Sequence, residues 1–159
     1  MVNIDTLFKK KRISRINELE LERYTNFFEN SWRENIRHSR KDIEEFPRWS
    51  IISGYYAMHD ITKLLLARKF RIKIDFKIHK TTIEVLEQVI KNRWFAVQLE
   101  KGYKEFLNLA SDLEEAKNER TKMQYYTDTA FMREEYKKKA REFFSAVVNY
   151  LEKIRELIK

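Results

Sequence analysis

Residues 136–158, YKKKAREFFSAVVNYLEKIRELI, carry apolar side chains at Tyr136, Ala140, Phe143, Val147, Tyr150, Ile154 and Leu157. The steps alternate between four and three, which is the heptad seam of a helix with one side laid against other helices. Phe144, Leu151 and Ile158 widen the stripe. The seam fits a core helix within one bundle, or a helix that gives part of its stripe to a second copy. Either placement implies an all-α chain, with a last helix over about 131–158.

The same pattern repeats toward the N-terminus. Tyr103, Phe106, Ala110 and Leu113 mark a helix over 103–126. Ile83, Leu86, Ile90 and Val97 mark another, with Thr81 or Thr82 as its cap and Gly102 as its stop. A helix over 48–69 follows Pro47, a residue suited to a first helical turn, and carries Ile51, Gly54, Tyr55, Met58, Ile61, Leu64 and Leu65. Gly54 inside it costs about 1 kcal/mol relative to alanine, so another helix is expected to approach closely there. Residues 13–46 read as one long helix or two collinear ones, with Tyr24, Phe28, Trp32 and Ile36 at steps of four.

One stretch breaks the helical period. Phe70, Ile72, Ile74, Phe76 and Ile78 alternate with charged residues, which indicates extended backbone. In a helical chain it is expected to be an extended connector over 70–78, or else a strand pairing across a dimer. The expected architecture is an antiparallel up-and-down bundle of about five helices.

Composition agrees. The chain has 159 residues, 43% of them hydrophobic and 36% charged, which suits one domain built from amphipathic helices. Two glycines and one proline are too few for a sheet-rich fold. Cysteine is absent, which excludes disulfides and thiolate metal sites. No apolar run approaches the roughly 18 residues of a membrane span, and no apolar segment of a secretory signal follows the basic N-terminus. A cytoplasmic protein with no membrane association is expected.

The net charge is +8. Residues 1–15 hold Lys9, Lys10, Lys11, Arg12 and Arg15 against Asp5 alone. They are expected to form a basic N-terminal arm, a solvated tail or a phosphate contact, ahead of a helical domain over 16–159.

Chemistry-bearing motifs are sparse. His38, His59 and His79 are never four residues apart, so no single helix supplies a zinc pair. Two glycines cannot build a phosphate-cradling glycine loop. No cofactor is expected.

The segment RWSIISGYYAMHDITKLLL at 48–66, the Ile78-His79-Lys80 step, and LEEAKNERTKMQYY at 113–126 together resemble the HEPN domain family, and the last helix matches in length and pattern. The resemblance spans roughly 16–158. It implies a helical bundle, usually a homodimer, that binds nucleotide or RNA. Many members pair with a small nucleotidyltransferase in toxin–antitoxin modules. Active members are metal-independent ribonucleases in which an arginine offsets phosphate charge and a histidine four to six residues later moves the 2′-hydroxyl proton.

This chain departs from that motif. Arg120 stands where the arginine belongs, but Tyr125 and Tyr126 follow it and no histidine does. A tyrosine of pKa about 10 is a poor base at neutral pH. Arg120 and Tyr125 are therefore weak catalytic candidates, and the expected function is binding without hydrolysis. Arg120 falls seven residues after Leu113, on the same side of its helix, where a charge needs an internal acid or an anion-facing groove. The candidate RNA- or nucleotide-binding set is Arg120, Lys122, Tyr125 and Tyr126, joined by Tyr55 and His59, with core packing the alternative for the last two. Arg33 and His38 also satisfy the arginine–histidine spacing, on another helix. An active ribonuclease toxin and a homodimeric scaffold stand as the other two expectations.

Overall fold

In a computed structural model, the described residues are 2–123 and 129–159, with side chains described outside 110–132. The elements in chain order are α1 (Ile4–Lys9), β1 (Ile13–Arg15), α2 (Glu18–Asp42), α3 (Pro47–Phe70), β2 (Ile72–Ile74), α4 (Ile78–Val89), α5 (Trp94–Met123) and α6 (Thr129–Ile158). The chain is an all-α bundle with a small two-stranded accessory sheet.

Helix α3 is the axis of the bundle and packs on α2, α4, α5 and α6. It is buried nearly all round, and the polar side chains that this burial encloses, Ser50, His59, Asp60 and Thr62, lie among apolar ones. Pro47 occupies its first turn. The α6 seam is filled from within the chain: Tyr136, Ala140, Val147, Tyr150 and Ile154 are all buried. Thr62 Oγ1 donates to the Met58 carbonyl, so the Tyr150 hydroxyl donates to Thr62 Oγ1, at 2.6 Å. At the α2–α3 crossing, Ser39 Oγ donates to the Ser50 carbonyl and Ser50 Oγ to the Ser39 carbonyl.

Gly54 sits at that crossing, where the expected close approach is found. A Cβ added there would lie 3.1 Å from Ser39 Oγ and 3.3 Å from Val147 Cγ2. Gly102 is not a helix stop. It lies inside α5, buried, and an added Cβ would meet Met58 Sδ at 3.1 Å. The two glycines are expected to respond oppositely to alanine. Ser39 is locked by its hydrogen bonds and Val147 is stiff, so Gly54→Ala should lose about 1 kcal/mol. The Met58 thioether can swing aside, so Gly102→Ala should gain about 0.5 kcal/mol from helix propensity. Urea melts of the two variants check the contrast, and equal shifts would contradict it.

The N-terminal segment differs most from expectation. It is neither a solvated tail nor the start of a long helix. Asn17 caps α2, its Oδ1 accepting from the Glu20 amide, and residues before it form α1 and β1. Strand β1 pairs antiparallel with β2 in the register Ile13 to Ile74 and Arg15 to Ile72. The alternating stretch therefore has a partner within its own chain, and neither a lone connector nor a strand across a dimer is needed. Leu7, Ile13, Leu66, Ile72, Ile74 and Val85 close a second, smaller core under this sheet. Among the described residues there are six helices, the sixth being the short α1.

Arg12 ties this segment down. Its Nε and Nη2 donate to Thr81 Oγ1 at 2.9 and 2.6 Å, and Nη2 lies 2.6 Å from Glu84 Oε2. Thr81 is thus not a cap. It sits within α4 and passes its own proton to the Phe76 carbonyl. The residue at the N-cap of α4 is Lys77, in the left-handed conformation.

No helix among the described residues is long and apolar enough to cross a membrane.

Candidate functional site

The turn-by-turn spacing of α3 sends Tyr55 and His59 toward α4 and α5, and Asp60 toward α2, where Lys63 Nζ also lies, 4.9 Å from the Phe28 ring. Tyr55 is fully buried, and its hydroxyl is 2.5 Å from His79 Nδ1 on α4. His79 stacks on Tyr103 of α5 at 4.9 Å and 9°, and Phe106 lies against Tyr55 at 5.1 Å. The His59 and His79 rings are 5.0 Å apart.

Burial fixes the protonation states. It drives the Tyr55 phenol far above its ordinary value, so Tyr55 keeps its proton and donates to His79 Nδ1. Burial, with the Lys63 charge second, lowers His79. The neutral His79 ring then carries its proton on Nε2. His59 is 2% exposed and is lowered to about 3, by burial first, then Lys63 and His79, with the Ile78 backbone opposing. Its Nε2 has no hydrogen-bond partner among the described residues. This cluster fastens α4 and α5 to α3. With Tyr55 occupying Nδ1 and the ring's pKa depressed, His79 is poorly placed to serve as a base.

On the α2 side, Ser31 Oγ and Asn35 Nδ2 donate to Asp60 Oδ2 at 2.6 and 3.1 Å. Burial still raises Asp60, and it lowers Lys63 nearby. No group of three or more histidines, aspartates or glutamates able to hold a metal ion occurs among the described residues.

The feature richest in cations lies elsewhere. A cleft of about 310 Å³ opens between α2, the end of α3 and the end of α6. Arg33, Arg68, Arg155 and Lys159 line it, with Glu29 the acidic side chain among the described lining residues, and Lys159 Nζ is paired with Glu156 Oε1 at 3.0 Å. Trp32, Ile61 and Ile158 form its apolar base. The Arg33 guanidinium lies 4.6 Å from the Trp32 ring and that of Arg155 lies 6.0 Å from it. Glu29 Oε1 takes Arg33 Nε and Nη2 at 2.8 and 2.7 Å, while Oε2 is 3.5 Å from Arg68 Nη1 and 3.4 Å from Trp32 Nε1. Several cations beside an aromatic base suit a phosphate-bearing ligand. A second depression, about 420 Å³, is lined by Asp5, Phe8, Lys9 and Arg15, but Arg15 is already held by the Phe70 carbonyl and the Phe8 ring.

The residues singled out from sequence divide three ways. Arg120, Lys122, Tyr125 and Tyr126 lie outside the residues whose side chains are described. Tyr55 and His59 are brought together, with His79, but both are buried. Arg33 lines the cleft, whereas His38 is exposed five residues along α2 and does not line it. Sequence reasoning missed Arg68 and Arg155. Their signal was faint: each is a basic residue in the final turns of its helix, an ordinary place for one.

No family model, no curated protein and no solved structure matches this chain.

Proposed function

We propose that this chain is a HEPN-like helical module that binds RNA or a nucleotide through phosphate groups and does not hydrolyse it. In this reading it acts in the cytoplasm as a homodimer, paired with a small nucleotidyltransferase in a toxin–antitoxin-type module. The observation that carries the binding claim is the cleft with Arg33, Arg68, Arg155 and Lys159 above Trp32. Its cations come from three helices, so the bundle itself sets their spacing. The net charge of +8 favours encounter with polyanions. The absence of a histidine after Arg120 supports binding without cleavage.

The test is titration of a fluorescent single-stranded RNA at graded salt, with and without EDTA. Wild-type protein should bind saturably and leave the RNA intact. Affinity should fall with salt with a log–log slope of about −0.7 per phosphate contact. Arg68→Ala/Arg155→Ala should weaken binding at least about tenfold and flatten that slope. No saturable binding at low salt, or equal binding by the double variant, would sink the proposal. Cleavage in EDTA would replace it with an active ribonuclease.

A further inference from the structure

Glu29 lies between two of the arginines that line the cleft. Its two carboxylate oxygens bridge Arg33 and Arg68, on different helices, and Oε2 also receives Trp32 Nε1. Arg155 has no carboxylate partner among the described residues, although its guanidinium comes within 6.0 Å of the Trp32 ring. The cleft therefore holds one arginine hydrogen-bonded to an internal monoanion, a second at ion-pair distance from it, and a third without an acid among the described residues. The Glu29 side chain is 25% exposed, so it can rotate into solvent once released.

We propose that Glu29 is a built-in competitor that makes the cleft select terminal phosphates over internal phosphodiesters. This rests on the reading of the cleft as a phosphate site. An internal phosphodiester carries one negative charge, as Glu29 does. Glu29 is tethered, and a tethered group competes at an effective concentration in the millimolar range. A free monoanion gains little by replacing it. A phosphomonoester carries about −1.5 to −2 charges at neutral pH and three acceptor oxygens. It can take over Arg33 and Arg68 and still offer charge to Arg155, which Glu29 leaves unused. The ligand class is thus a nucleoside phosphate or an RNA strand bearing a phosphate end.

The experiment uses one single-stranded RNA oligonucleotide in two forms, with a 5′-phosphate and with a 5′-hydroxyl, titrated into the full chain. ADP serves as a competitor, to tell a nucleotide site from a strand-end site. The wild type should bind the 5′-phosphate form at least about tenfold tighter, since one charge-assisted pair is gained. Glu29→Gln keeps an oxygen for Trp32 Nε1 but drops the charge. It should tighten binding of the 5′-hydroxyl form and shrink the ratio several-fold. Arg155→Ala should shrink the ratio from the other side, by weakening only the 5′-phosphate form. Displacement of the bound strand by ADP identifies free nucleotide as a ligand, and displacement by unlabelled 5′-phosphate strand alone identifies the strand end; either outcome supports terminal-phosphate selection. Equal wild-type affinity for the two oligonucleotides, or an unchanged ratio in Glu29→Gln, overturns the selection while leaving phosphate binding intact. No binding of either form overturns both.

Discussion

Arg12→Ala protein is expected to unfold at a lower urea concentration than wild type, by the equivalent of about 3 kcal/mol. Arg12 is 9% exposed, and its guanidinium reaches both Thr81 Oγ1 and Glu84 Oε2 on α4. The contact to Glu84 is electrostatic rather than a well-aligned hydrogen bond, since Oε2 otherwise has no hydrogen-bond partner among the described residues. Removing the arginine leaves the nearly buried Glu84 carboxylate with only the exposed Lys80 ammonium, 3.9 Å from Oε1, as counter-charge, and that loss exceeds the pair's own net contribution. The backbone at Arg12 makes the damage wider. Its carbonyl accepts from the Asp75 and Phe76 amides at 2.9 and 3.2 Å, so the β1–β2 pairing and the start of α4 share this anchor. The double variant Arg12→Met/Glu84→Leu, which removes both charges, should recover most of the loss. A loss below about 1 kcal/mol in Arg12→Ala, or a double variant no better than the single, would contradict the account. Hydrogen exchange should also show the amides of β1 opening before those of α3 in the single variant.

That anchor lies where sequence reasoning failed. The periodic parts of the chain were readable because burial imposes them: the α6 seam, the α3 stripe from Ile51 to Leu65 and the Pro47 start are each the direct trace of a helix against neighbours. Gly54 was readable for the same reason, since a glycine in a helix interior implies a close neighbour. The sheet was not. Strand β1 is three residues long and follows a run of basic residues that outweighs it in any window. Its turns lacked the usual glycine or asparagine as well, because Lys11, Arg71 and Lys77 take the left-handed conformation themselves. Thr81 looked like a cap because a threonine before a helical stripe usually is one; its tie to Arg12 spans 69 residues and leaves no local mark. The cleft was hidden in the same way. Arg33, Arg68 and Arg155 are ordinary surface cations until the fold brings α2, α3 and α6 together.

Acid should destabilise the domain through His59, and the sign of the effect follows from the direction of its shift. An unfolded histidine titrates near 6.5, whereas His59 in the folded chain is lowered to about 3. The unfolded state therefore binds a proton that the native state refuses. The stabilisation is fully present above about pH 6.5 and falls by about 1.4 kcal/mol for each pH unit below it, down to the folded value. His79, lowered by burial and by Lys63, acts with the same sign. Asp60 is raised, so the cost of its buried charge is relieved as it protonates, and it offsets part of the loss at the acid end. Lys63 stays protonated when unfolded across this range; in the folded chain its lowered value is countered by Asp60, and it contributes little slope. Urea midpoints taken between about pH 7 and about pH 4.5 give the slope. His59→Phe keeps a ring beside Tyr55 and His79, which lie 5.9 and 5.0 Å from the native imidazole, and removes both the titration and the unpartnered Nε2. Its slope should be smaller than wild type by about one proton. The stability difference between the two proteins should move in favour of His59→Phe as the pH falls through this range. Parallel pH profiles for the two would show that His59 is not the group whose charging opens the junction of α3, α4 and α5.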